Sequence, residues 1–276
     1  MKHITSRQNP LVTRYRAVAH GDDRTLMLLD GPHLVADALA AHTTLVQAAF
    51  TPAALEAPDV GSLVAQLEAA QVDVVSVTAP VMAAISPVRS PSPIVALAER
   101  PSARLQDLLA LAVPVVVCVC NVQDPGNVGA IIRVAEAGGA TGVLTAGISA
   151  DPFGWKALRS AMGSALRLPV VPAVDLVGPL TEARRRGCRI IAAVPRGGRA
   201  PDAIALDGPV VLLVGGEGQG LAPELIAAAD ERVTIPMASP VESLNAAVGA
   251  ALLVYEARRQ RLARKASHGL TVSGQS

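Results

Sequence analysis

From Val210 to Glu256 the chain reads VVLLVGGEGQGLAPELIAAADERVTIPMASPVESLNAAVGAALLVYE, an order of parts that few folds accommodate. An unbroken Val/Leu run marks a strand buried on both faces. It breaks into Gly215-Gly216-Glu217-Gly218-Gln219-Gly220, where backbone N–H and C=O groups lose their side-chain cover and become open to a ligand. Pro223 stands where a helix takes a first-turn proline, and a second strand closes on Val233-Thr234-Ile235-Pro236. A polar loop around Ser239-Pro240 follows, then a long helix beginning near Ser243-Leu244-Asn245. Two strand ends and two loops of small residues make a pocket lined by backbone, which suits a flat, hydrogen-bonding ligand among apolar walls. The glycines match neither phosphate fingerprint. Leu221 stands where G-x-G-x-x-G needs its third glycine, and no Gly-Lys-Ser/Thr follows. On the residues alone the ligand stays open.

A second strand-to-helix junction lies upstream. Val115 to Cys120 is a Val-rich run of the buried parallel type, and Asp124-Pro125-Gly126-Asn127-Val128-Gly129 follows it. Asp124-Pro125 reads as a turn, and Asn127 is expected to cap the helix. Arg133 comes six residues after Asn127, nearly two turns on and about a third of a turn off its line at ~100° per residue. Spacing alone favours pairing of this arginine with a carboxylate or a phosphate over chemistry.

The rest of the chain sets these junctions in an α/β protein. Residues 1–106 alternate short strands and helices and are expected to form a small α/β domain, with Glu99 to Asp107 as connector. Residues 107–266 repeat strand then helix, including a helix around Trp155–Met162, and imply a mostly parallel sheet with helices on both faces. The segment 267–276 is expected to be a flexible tail. With 51% hydrophobic and 17% charged residues the chain is globular. Aromatic residues make up 2%, which excludes nucleic-acid binding by serial base stacking. A net charge of +1 decides nothing, but three basic clusters stand out: Arg7, Arg14 and Arg16; Arg184, Arg185 and Arg186; and Arg258, Arg259, Arg261, Arg264 and Lys265. Any one alone is most often a solvated face; together they point modestly towards RNA. Cys118, Cys120 and Cys188 lack zinc-ligand spacing and read as inert core thiols, which fits a reducing cytoplasm. No apolar signal segment opens the chain. The apolar stretch from Leu108 to Val122 is too short to span a bilayer and is interrupted by Pro114 and Asn121.

Three motifs together, in order and spacing, resemble the SpoU/TrmH family of RNA ribose 2′-O-methyltransferases within the knotted SPOUT class. They are Asn121…Asp124-Pro125-Gly126-Asn127-Val128-Gly129…Arg133, Leu213 to Leu221, and Ile235-Pro236-Met237…Val241-Glu242-Ser243-Leu244-Asn245. Arg159-Ser160-Ala161-Met162-Gly163-Ser164 is similar to the family's intervening segment, so the likeness runs from Val113 to Arg264. Residues 4–40 resemble the ribosomal-protein-like substrate-binding domain found in part of the family. The resemblance implies a deep trefoil knot, a homodimer, and S-adenosylmethionine as cofactor, released as S-adenosylhomocysteine, with no metal. It implies cofactor contacts at Gly215, Gly216, Gly218, Ile235, Met237 and Leu244, and a catalytic group of Asn127, Arg133, Glu217, Ser243 and Asn245. A guanidinium keeps its proton below a pH of ~12, so Arg133 is expected to fix a phosphate and stabilise alkoxide charge, held by Glu217 through paired hydrogen bonds. Arg7, Arg14 and Arg16 are the expected RNA contacts of the N-terminal domain. The implied substrate is RNA, with large-subunit (23S) rRNA favoured over tRNA. The rival readings are a SPOUT base methyltransferase and a non-catalytic RNA-binding assembly factor.

Overall fold

The computed structural model describes residues 2–173 and 175–272, the last five of these as backbone only. It divides into two compact units, Met1–Pro101 with Phe153–Arg167, and Ser102–Pro152 with Leu168–Ser276.

The first unit contains β1 (Lys2–Ile4), α1 (Pro10–His20), β2 (Leu26–Asp30), α2 (Pro32–Ala40), β3 (Leu45–Phe50), α3 (Pro58–Ala69), β4 (Asp73–Val77), α4 (Ala79–Ile85) and β5 (Ile94–Glu99). Its mixed sheet has the order β1-β4-β3-β5-β2, with β5 antiparallel to both neighbours. The edge strand β1 is too short and exposed to announce itself in the sequence. Tyr15 of α1 is fully buried, and its hydroxyl donates to the Gln47 carbonyl at 3.3 Å.

The chain continues through α5 (Leu105–Leu108), β6 (Val115–Cys120), α6 (Pro125–Ala137), β7 (Gly142–Ala146), α7 (Trp155–Ala161), α8 (Ser164–Arg167), β8 (Val170–Ala173), α9 (Val177–Arg185), β9 (Arg189–Ala193), β10 (Val210–Gly215), α10 (Pro223–Ala228), β11 (Glu231–Val233) and α11 (Ala246–Val272). Strands β6 to β11 form one sheet in the order β11-β9-β10-β6-β7-β8, with every pair parallel. Alternation sorts its side chains. Val116, Cys118 and Cys120 of β6 join Leu144, Ile190, Val211 and Leu213 in a core under α5, α9 and α10. The opposite face takes α6 and α11, which pack on each other and on the central strands. Both faces of β6 and β10 are therefore buried, which is why these strands are continuous Val/Leu runs.

Two expectations change here. The segment Phe153–Arg167, placed by the strand-helix rhythm in the C-terminal domain, belongs to the first unit. Trp155 packs against that unit's core, Arg159 pairs with the buried Asp30 at 3.7 Å, and Arg167 pairs with Asp37 at 3.7 Å. The rhythm records which elements alternate, not which core they join. The segment 267–276, expected as a flexible tail, is helical in its first part. Helix α11 runs on through Ser267, whose hydroxyl donates to the Ala263 carbonyl, to Val272, because no proline stops it at Ala266. The remaining four positions of the expected tail, 273–276, lie outside the described residues.

Candidate active site

At the carboxyl ends of β6 and β10 the backbones come into close contact. Six residue pairs run in parallel register from Val210 opposite Val115 to Gly215 opposite Cys120. The next N–H, of Gly216, donates to the Cys120 carbonyl at 2.9 Å. A Cβ on Gly216 would run into the carbonyl of Asn121, so only glycine fits. Beyond it the chain turns back on itself, with the Gly220 N–H donating to the Gly216 carbonyl at 3.1 Å. Gly218 and Gly220 hold φ of 88° and 65°, the left-handed region that glycine enters without strain.

The turn opens into a pocket of about 400 Å³. Gly215, Gly216, Glu217 and Gly218 form one side, Ile235 and Met237 another, and Ser243, Leu244 and Asn245 a third. All six residues expected to contact a cofactor line this pocket. So do Val194 and Pro195 at the end of β9, and Gly249 and Leu253 of α11, which the sequence reading missed. Strand order was the missing signal: β9 lies next to β10 in the sheet, which no local pattern reports.

Three amide and carboxylate side chains meet at the pocket edge. Asn127 Nδ2 donates to Glu217 Oε1 at 2.8 Å. Asn245 Nδ2 donates to the same oxygen at 2.9 Å and to Asn127 Oδ1 at 3.0 Å. Asn245 is held at its other end as well, since Oδ1 accepts from the N–H groups of Ala247 and Val248 at 2.9 and 3.3 Å and so caps α11. Asn127 is not the cap it was expected to be. Asp124 takes that position, with its carboxylate accepting from the Asn127 N–H at 2.7 Å and Pro125 as the first helical residue. The Asn127 side chain is thereby released to reach Glu217.

The expected pairing of Glu217 with Arg133 is absent. Glu217 Oε1 is taken by the two asparagines, while Arg133 lies exposed on α6 with no hydrogen bond or salt bridge among the described residues. At ~1.5 Å rise per residue its Cα stands about 9 Å along the helix from that of Asn127, and on another face. Ser243 lines the pocket and is exposed. The rim segments that follow Pro195 and precede Ser243 are joined by an exposed ion pair, Arg196 with Glu242 at 3.4 Å. In the first unit, Arg7, Arg14 and Arg16 do not form one patch. Positions 14 and 16 are about 200° apart around a helix, and Arg16 Nε donates to the Ala84 carbonyl at 2.9 Å.

With this geometry in view, comparison with known proteins is decisive. The profile of the SpoU rRNA Methylase family matches residues 114–255, from the start of β6 to the middle of α11. The chain belongs to the SpoU rRNA methylase family. A relative from Synechocystis, named as an uncharacterized tRNA/rRNA methyltransferase, is 34% identical over 271 residues, which cover 94% of each chain. The 23S rRNA (guanosine(2553)-2′-O)-methyltransferase RlmP of Bacillus subtilis is 30% identical, over 94% of this chain and all of that one. The solved structure of an AdoMet-bound rRNA methyltransferase from Sinorhizobium meliloti superposes with a TM-score of 0.82 at 31% identity, over 94% of this chain and 97% of that one. At 94% coverage the likeness to all three takes in the N-terminal unit as well.

Asn245 has two separable duties, capping α11 and bridging the other two side chains. Asn245→Ala should lower the free energy of unfolding by about 1 kcal/mol, whereas Asn245→Ser, which keeps an N-cap oxygen, should stay within roughly 0.5 kcal/mol of wild type. Urea denaturation of both variants measures the difference. Equal losses would locate the stability in the bridges and not in the cap.

Proposed function

We propose that the protein transfers a methyl group from S-adenosylmethionine to the ribose 2′-oxygen of one nucleotide in a structured RNA, with large-subunit rRNA as the substrate. The observation that carries this reading is the joining of Asn127, Glu217 and Asn245, from three separate motifs, at the edge of a glycine-walled pocket. Membership of the SpoU family and the 23S rRNA activity named for the Bacillus subtilis relative support it.

The pocket fits the cofactor. Its volume suits a nucleoside-sized ligand, and the space above Gly218 is open, with no atom within 4 Å of where a Cβ would stand. Gly218 offers its backbone groups to an adenine edge, Gly215 and Gly216 leave room for the ligand beside the chain, and Ile235, Met237 and Leu244 supply apolar walls. S-adenosylmethionine, when bound, supplies an electrophilic methyl group on a cationic sulfonium. The protein's part is alignment, which can account for much of the rate in such a displacement. Asn127, fixed by Glu217 and Asn245, orients the ribose together with Ser243. Arg133 acts as a cation, gripping the phosphate beside the target and stabilising charge on the 2′-oxygen, whose proton passes to an oxygen of that phosphate. Arg7 and Arg14, exposed and without a hydrogen bond or salt bridge among the described residues, are the phosphate contacts of the first unit. The chain works as a homodimer. Leu244, Val248, Leu252 and Tyr255 recur along one side of α11 and its cap, each 37–50% exposed, and a second copy would cover them. Three buried free cysteines fit the reducing cytoplasm, and among the described residues no helix is long and apolar enough to cross a membrane. The trefoil knot is carried over with the family fold.

The direct test is methyl transfer from labelled S-adenosylmethionine to ribosomal RNA, followed by nuclease mapping of the product. A label on a base, or none on RNA, would overturn the reading. Gly218→Val should lose cofactor binding in calorimetry while keeping the fold, because the branched side chain enters the pocket and opposes a φ of 88°. Arg133→Lys should lower turnover at least about tenfold, since an ammonium cannot reproduce the planar fork. Near-wild-type turnover would remove that geometry from the mechanism. Leu252→Glu should give a monomer in sedimentation, and a persistent dimer would move the interface elsewhere.

A further inference from the structure

The third basic cluster, on the carboxyl half of α11, takes no part in the site above. It lines a second cavity of about 580 Å³ at the opposite ends of the same strands, where Val113 leads into β6, Thr141 into β7 and Asp207 towards β10. At ~3.3 Å per residue, a six-residue strand separates the two cavities by about 20 Å. Four cations, Arg258, Arg261, Arg264 and Lys265, face one carboxylate there, that of Asp207. Among the described residues Arg264 is the one in a salt bridge with it, at 3.2 Å. Arg261 is anchored by Nη2, which donates to the carbonyls of Pro114 and Gly208 at 3.2 and 2.8 Å, and its buried Nε has no acceptor. Arg258 lies over Gly139, where an added Cβ would stand 3.3 Å from Nη1. Neither Arg258 nor Lys265 forms a hydrogen bond or salt bridge among the described residues.

The carboxyl end of α6, at Gly138, attracts cations by its dipole. That attraction does not account for the arrangement, because Arg258 and Lys265 donate to none of its carbonyls and the Arg261 Nε stays without an acceptor. Four like charges lining a cavity that holds one carboxylate call for an anion. We propose that this cavity binds backbone phosphate of the substrate RNA, gripping the strand about 20 Å from the methylated ribose. The inference rests on the RNA-methylating function proposed above. Arg258 and Lys265, exposed at the cavity, donate to a phosphodiester oxygen and neutralise its charge.

The test uses the full-length protein, a 23S rRNA transcript, and titrations of affinity against ionic strength. Replacing both Arg258→Gln and Lys265→Gln should reduce the magnitude of the log–log salt slope by about 1.4 to 1.8, at ~0.7 to 0.9 per phosphate contact. Affinity for S-adenosylmethionine should stay at the wild-type value, which also reports a folded variant. The charge-conserving pair Arg258→Lys and Lys265→Arg should keep the wild-type slope. An unchanged slope in the folded glutamine variant would overturn the proposal. Inorganic pyrophosphate that binds the wild type but not this variant, with the RNA slope unmoved, would overturn it too, by giving the cavity to a free anion. The slope is read from binding, so a wild type that fails to methylate RNA would sink the function while leaving this result readable.

Discussion

The contact on which the site depends is that of two backbones, Gly216 against the carbonyl of Asn121. No side chain fits between them, and the Gly216 N–H extends the ladder of β10 and β6 by one more bond, to Cys120. Asn121 is itself pinned. Its φ is +56°, and its Oδ1 accepts from the Ile148 N–H at 3.0 Å, which ties the end of β6 to the end of β7. Because the two strand ends are locked this closely, Glu217, the next residue along, lies within reach of Asn127, 90 positions away in sequence. A parallel sheet makes this possible. All its strands end on one side, so the loops that leave them gather there, and a ligand site follows from topology before any side chain is chosen.

The sequence made the sheet legible because burial on both faces leaves a plain mark. The Val runs of β6 and β10 admit no polar alternation, and glycine and proline punctuate their ends. The pocket-lining residues could be named from motifs for the same reason, since each motif sits where a strand stops. Side-chain partners were less accessible. Asp124 and Asn127 are both good N-cap residues, and the choice between them turned on Pro125, whose ring suits the first helical position and places the cap one residue earlier. For Glu217, charge complementarity suggests the Arg133 guanidinium, whereas the fold gives that carboxylate two amide donors.

Charge clusters misled in another way. Arg184, Arg185 and Arg186 look like an RNA patch in one dimension. In the fold, Glu182 takes both Arg185 and Arg186, and these two arginines draw its carboxyl down to about 2. Arg184 pairs with Asp230 at 3.2 Å, a residue 46 positions later. What separates a patch from a solvated face is whether carboxylates answer it, and the answering residue is often remote in sequence. The same limit hid the excursion Phe153–Arg167, whose arginines are matched by Asp30 and Asp37 far upstream.

Helices α6 and α11 carry the site between them, and their packing is why its geometry is well defined. Asn127 stands in the first turn of α6 and Asn245 caps α11. At the other end of the pair, Gly138 lies so close to Val254 that a methyl group there would displace it. Helix α6 is thus fixed against α11 near both of its own ends, and Glu217 spans the two helices where they meet the sheet. Sliding α11 by one residue along its axis, about 1.5 Å, would exceed the tolerance of both hydrogen bonds made by the Asn245 amide. The exposed apolar side of α11 belongs to the same rigid rod, so whatever covers Val248, Leu252 and Tyr255 acts directly on the position of Asn245. Were two copies to pair on that side, as proposed, the pairing would fix the site in place, because one helix carries both the apolar side and Asn245.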